Sequence, residues 1–113
     1  EGFSMKAAVE VSKVLGYIKT KKGTLISASE SNKYAENKIT ILGTGGQGEE
    51  NAVLMRLATH RHKQLELKKG DTIIFSSSII PGNERTIQHL KDNLLRHGVK
   101  VYNYKMLDIH AGR

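Results

Sequence analysis

Apolar residues change their spacing from one stretch of this chain to the next, and the spacing predicts the elements. After Ser4, a hydroxyl residue suited to cap a first turn, Met5, Ala8, Val9 and Val11 or Ser12 recur at helical intervals. That helix closes near Leu15-Gly16, with Gly16 as a left-handed stop. Tyr17 to Ser27 reads as a connector with a short extended piece at Thr24-Leu25-Ile26, and Ser29 to Tyr34 as a turn of helix. The alternation of Ile39, Ile41 and Leu42 predicts a strand over Lys38 to Leu42. Val53, Met55, Leu57 and Ala58 supply the apolar side of a helix over Glu49 to Thr59.

A short extended run at Gln64 to Leu67 precedes a turn at Lys69-Gly70-Asp71. Thr72 to Phe75 is apolar without alternation, which predicts a strand buried on both faces. Ile87, Leu90 and Leu94, spaced i, i+3 and i+7, mark a helix over Arg85 to Arg96 that ends at His97-Gly98. Val99 to Tyr104 then returns as a strand.

Two of these strands run through a glycine-bearing loop into a helix. The first loop is Gly43-Thr44-Gly45-Gly46-Gln47-Gly48-Glu49, and the second is Ser76-Ser77-Ser78-Ile79-Ile80-Pro81-Gly82-Asn83-Glu84. Strand, glycine turn and helix make the unit of a parallel α/β sheet, whose ligands bind outside the carboxyl ends of the strands. The candidate chemistry therefore lies in these loops.

Length and composition narrow the class. A chain of 113 residues with 38% hydrophobic content predicts one domain with a packed core. The absence of cysteine excludes disulfides and thiolate chemistry. No apolar run approaches the roughly 20 residues that span a bilayer, and Glu1-Gly2-Phe3-Ser4 does not read as a signal peptide. A cytoplasmic, membrane-free protein is the expectation. The net charge of +7 is concentrated at Lys19 to Lys22, at His60-Arg61-His62-Lys63 and at Lys68-Lys69. Such an excess suits either solubility or a polyanion; with no tryptophan and two phenylalanines, RNA contact would rest on phosphate and sugar.

Each loop admits more than one reading. Gly43-x-Gly45-x-x-Gly48 satisfies the dinucleotide fingerprint, with Glu66 near the spacing of a ribose-binding acid. Against it, Glu49 and Glu50 set carboxylates where a pyrophosphate would sit, and the fingerprint leaves the second loop unexplained. The serine loop offers hydroxyls and N–H groups, but is also what a well-formed strand-to-helix turn looks like. A third reading makes both loops packing surfaces for a partner domain. The five histidines, His60, His62, His89, His97 and His110, lack carboxylates at metal-ligand spacing. His60 and His62 fit the basic surface, and His89 and His97 a solvated helix and its end.

The loops in combination are more specific. Thr44 to Glu49, His62-Lys63-Gln64, Gly70-Asp71-Thr72 and Ser76-Ser77-Ser78-x-Ile80-Pro81-Gly82-Asn83 closely resemble successive landmarks of the β-CASP domain of ribonuclease J. Gly2-Phe3-Ser4-Met5 looks like the Gly-Arg-Ser-Met turn of that domain, and Leu15-Gly16-Tyr17-Ile18 like the segment after that turn. The resemblance runs from the first residues to His110.

It implies most of a β-CASP domain over 1–113: a Rossmann-like three-layer α/β sandwich with a mainly parallel sheet. It further implies a cytoplasmic, homo-oligomeric ribonuclease of RNA processing and decay, cutting internally and from 5′-monophosphorylated ends. Two zinc ions in a separate metallo-β-lactamase domain would activate the water. This chain lacks the His-x-His-x-Asp-His cluster, so neither catalytic nor metal residues are expected in it, nor activity from it alone. The RNA- or phosphate-binding candidates are Ser4, Gly45, Gly46, Gln47, Gly48, Ser76, Ser77, Ser78, His110, Ala111 and Gly112. His110 matches the first histidine of the family's His-x-Ser-Gly-His segment, but Gly112 stands at the serine position and the second histidine is not in the sequence. Phe3 replaces the family's arginine, removing a phosphate contact.

Overall fold

A computed structural model of the chain describes residues 1–103. His110, Ala111, Gly112 and the predicted strand end at Tyr104 lie outside them. The described chain falls into two compact units, one of residues 1–44 and 63–65, the other of residues 45–62 with 66 onward.

The first unit is built on α1, Phe3–Val14. Its N-cap is Gly2, at φ 100°, whose carbonyl accepts the Lys6 N–H at 3.0 Å. Ser4 therefore lies inside the first turn and caps nothing, a correction to the sequence expectation. The end is as expected: Gly16, at φ 78°, lets its N–H reach Lys13 O at 3.1 Å and the Tyr17 N–H reach Ser12 O at 2.8 Å. These paired bonds form a Schellman stop, which satisfies two terminal carbonyls. Short 3₁₀ turns come next at Ala28–Lys33 and Glu36–Lys38.

The strand predicted over Lys38 to Leu42 does not form. Ile39 has extended dihedrals, but Ile41 and Leu42 are exposed and no strand pairs with them among the described residues. Extended backbone becomes a strand only when a neighbour completes its ladder.

The second unit holds the core. Helix α2 runs Val53–Ala58, strand β1 Thr72–Phe75, helix α3 Glu84–Arg96 and strand β2 Lys100–Asn103. β1 and β2 pair in parallel, Thr72 opposite Lys100 through Phe75 opposite Asn103, with α3 as the connection. Ala58, Phe75, Leu90, Leu94 and Val99 are buried together, with Leu54, Met55, Leu67, Ile73 and Val101 packed on them. Ile87, Leu90 and Leu94 are the buried side of α3, as their spacing predicts.

β1 is not buried on both faces. Ile73 and Phe75 face the helices, whereas Ile74 is 51% exposed. A two-stranded sheet with helices on one face leaves the other open, so the second unit by itself shows two layers. The helix predicted from Glu49 starts only at Val53. Residues 49–52 form a turn in which Arg61 Nη2 donates to Glu50 O at 2.9 Å, occupying a carbonyl that an earlier helix start would use.

Candidate functional site: two loops joined at the end of a strand

The serine loop leaves the carboxyl end of β1, since Ser76 directly succeeds Phe75. Ser76 is half-buried, Ser77 and Ser78 are exposed, and the three hydroxyls make no hydrogen bond among the described residues. Lys91 Nζ lies 5.2 Å from the centre of the Phe75 ring. A cation over a ring face is held by the ring quadrupole.

The glycine loop packs into the second unit through missing side chains. A β-carbon at Gly45, whose φ is 121°, would stand 2.7 Å from Leu54 Cβ, and one at Gly46 would collide with Ser77 Oγ. At Gly48, φ 76°, it would meet Thr86 Cγ2 at 2.6 Å. The loop thus lies against α2, the serine loop and the first turn of α3. Gly45 and Gly48 are buried, and the Gly48 N–H closes a turn on Gly45 O at 3.0 Å.

Gln47 joins the two loops. Its Nε2 donates to Ser78 O at 2.7 Å, while its Oε1 accepts from the Ile80 N–H at 2.9 Å and from Asn83 Nδ2 at 3.2 Å. On the serine-loop side, Glu84 Oε2 accepts the Gly82 N–H at 2.8 Å and Ile80 O accepts the Asn83 N–H at 3.0 Å. Asn83 and Glu84 are participants that the sequence pattern left without a role; their position after Pro81-Gly82 was the available signal.

Gly45, Gly46, Gln47, Gly48 and Ser76 to Ser78 are therefore brought together. Ser4 sits exposed on α1 in the first unit. His110, Ala111 and Gly112 are outside the described residues.

The dinucleotide fingerprint loses its helix. In that motif the third glycine opens the helix whose N-terminus receives the pyrophosphate. Four residues separate Gly48 from α2, which is six residues long. The glycines are explained by close packing on Leu54, Ser77 and Thr86.

The basic cluster at 60–63 is partly structural. His60 takes a left-handed φ of 56° at the end of α2, with its N–H on Leu57 O at 3.2 Å and the Arg61 N–H on Arg56 O at 2.7 Å. Its ring meets His97 edge-on at 5.2 Å between centroids. Arg61 also donates Nε to Thr59 Oγ1 at 2.9 Å. Among the described residues no three His, Cys, Asp or Glu side chains gather to hold a metal. No helix of the described residues is long and apolar enough to cross a membrane.

Known proteins are similar to this chain over most of its length. The family "Ribonuclease J, beta-CASP domain" matches residues 1–94. Ribonuclease J 1 of Streptococcus pyogenes is 43% identical over 110 residues, covering 97% of this chain and 20% of that protein. Ribonuclease J of Corynebacterium glutamicum is 37% identical over 97% of this chain and 15% of its own length. Ribonuclease J2 of Bacillus subtilis is 35% identical over 88% of this chain and 18% of its own length. The chain thus spans a fifth or less of these curated relatives. With a two-stranded parallel sheet, a β–α–β connection and two joined loops in the expected order, the chain belongs to the ribonuclease J β-CASP domain family.

Proposed function

We propose that this chain is the RNA-channel portion of a ribonuclease J-like enzyme of RNA processing and decay. The observation that carries the reading is the union of the two loops at the carboxyl end of β1, with three serine hydroxyls left unengaged beside it. Hydroxyls and backbone N–H groups can donate to phosphate oxygens without reading bases. Lys and Arg outnumber Asp and Glu by 18 to 11, which supplies attraction independent of sequence.

The parent would hydrolyse phosphodiesters, both internally and from 5′-monophosphorylated ends, as a cytoplasmic homo-oligomer. Its zinc would supply an activated water, and the residues described here would only bind and orient RNA. The two ions belong to the metallo-β-lactamase domain, so this chain alone is inactive. Further strands of the parent would extend the sheet, and further helices would cover the Ile74 face, completing the three-layer sandwich.

An NMR titration with a short 5′-monophosphorylated single-stranded RNA tests the binding role. Shifts should centre on Gly45 to Gly48 and Ser76 to Ser78, with His110 as a further reporter. Affinity should fall with salt at a log–log slope of about 0.7 per phosphate contacted. Saturable NAD(H) binding at Gly45, with no response to RNA, would overturn the reading.

A further inference from the structure

The serine loop has little of its own to hold it. Ile79 and Ile80 are 43% and 57% exposed, and Gly82 takes φ 101° with open space around it. With no buried side chain between 76 and 82 other than half-buried Ser76, its path depends on polar braces. The Glu84 and Ile80 braces come from within the loop and the start of α3. Among the described residues, Gln47 is the one that hydrogen-bonds to it from another segment, and it does so at three places.

The chemistry at position 47 is specific. An Ile80 N–H can only donate and a Ser78 carbonyl can only accept, so the brace needs an acceptor and a donor on one planar group. A primary amide has both. A carboxylate lacks the donor and would face the Ser78 carbonyl oxygen, while a thioether of similar length lacks the donor and accepts only weakly. Gly46 is bare where Ser77 Oγ lies against it, and a β-carbon there would collide with that hydroxyl unless Ser77 rotated. The loop thus brings Gln47 to Ser78 and sets Ser77 against Gly46 in the same stroke.

We propose that Gln47 is a positioning residue: its side-chain amide fixes Ser76 to Ser78 in the arrangement that receives RNA phosphate, and does not itself contact RNA. This rests on the RNA-channel reading above. It separates Gln47 from the contact residues among which the motif alone would place it.

The test uses the whole chain, with amide hydrogen exchange at Ile80 and binding of the same short 5′-monophosphorylated RNA. Gln47→Met should speed Ile80 exchange and weaken RNA binding roughly tenfold, equivalent to one to two net hydrogen bonds, while the core amides of α3 stay protected. Gln47→Glu should behave likewise at pH 7. Protonation restores an O–H donor beside a carbonyl acceptor, so its RNA affinity should recover toward wild type as the pH falls toward an ordinary glutamate pKa of about 4.3. The wild-type chain over the same range accounts for Glu49, Glu50, Glu84 and the histidines. Unchanged RNA affinity in Gln47→Met overturns the proposal, as does weakened affinity with unchanged Ile80 exchange, which would make Gln47 a direct contact. Should Gln47→Met not fold, absence of pH recovery in Gln47→Glu overturns it. Failure of the wild-type chain to bind RNA removes the RNA-channel reading itself, and is distinguished by needing no variant.

Discussion

Helices α1 and α3 have 12 and 13 residues, and both close on a Schellman stop with a left-handed glycine, yet they lead opposite lives. α3 buries Ile87, Leu90 and Leu94 to 1–2% exposure, the latter two packed with Phe75, Val99 and Ala58. α1 buries none of its residues, and Phe3 and Val14 are 91% and 85% exposed. Local signals suffice to start and stop a helix; whether its apolar side is covered depends on what the fold brings to it. For α3 that partner is the β–α–β unit, which is also what carries the serine loop.

The sharpest way to break the contrast is at the core. Leu94→Ala should cost about 2–5 kcal/mol, because it removes a buried side chain and leaves a cavity. Val14→Ala on α1 should stay within about 0.5 kcal/mol, as an exposed substitution does. Urea denaturation of both variants checks the pair, and equal losses would show that α1 is as well packed as α3.

Next in size is the glycine loop. Gly48→Ala adds left-handed strain of about 1–2 kcal/mol to crowding against Thr86 worth about 1–3 kcal/mol. The midpoint of thermal unfolding should fall accordingly, and loop shifts in the NMR spectrum should spread to α3.

The two helix stops give the smallest and most controlled comparison. Gly16 and Gly98 share almost the same φ, 78° and 77°. A β-carbon at Gly16 would meet nothing, whereas at Gly98 it would meet Lys69 Cγ at 2.8 Å. Gly16→Ala should cost about 1 kcal/mol from backbone strain alone. Gly98→Ala should cost a few tenths more, since a flexible lysine stem can yield. A much larger gap in denaturant midpoints would show that Lys69 is held firmly.

Much of this was legible from residues read in order. The i, i+3, i+7 spacing of Ile87, Leu90 and Leu94 found the buried side of α3, and Gly16 and Gly98 marked both stops. The paired loops pointed to the family. Three of the misreadings share one cause: each needed a neighbour that the local pattern does not contain. Ile39 to Leu42 has strand spacing but no paired strand among the described residues. Ile74 belongs to an unbroken apolar run, yet no layer among the described residues buries it. Glu49 has helix-forming successors, but Arg61, eleven residues beyond Glu50, takes the carbonyl that an earlier start would use.

The candidate site divides in the same way. Glycine and proline types at fixed places determined by themselves that turns would fall within residues 43–49 and 76–83, because backbone freedom and a fixed φ are local properties. Only the tertiary structure decided that Gln47 would spend its amide on Ser78, Ile80 and Asn83, across 31 to 36 residues of chain. A hydrogen bond of that separation exists only after folding has brought its ends together, and that closure depends on the packed core beneath both loops.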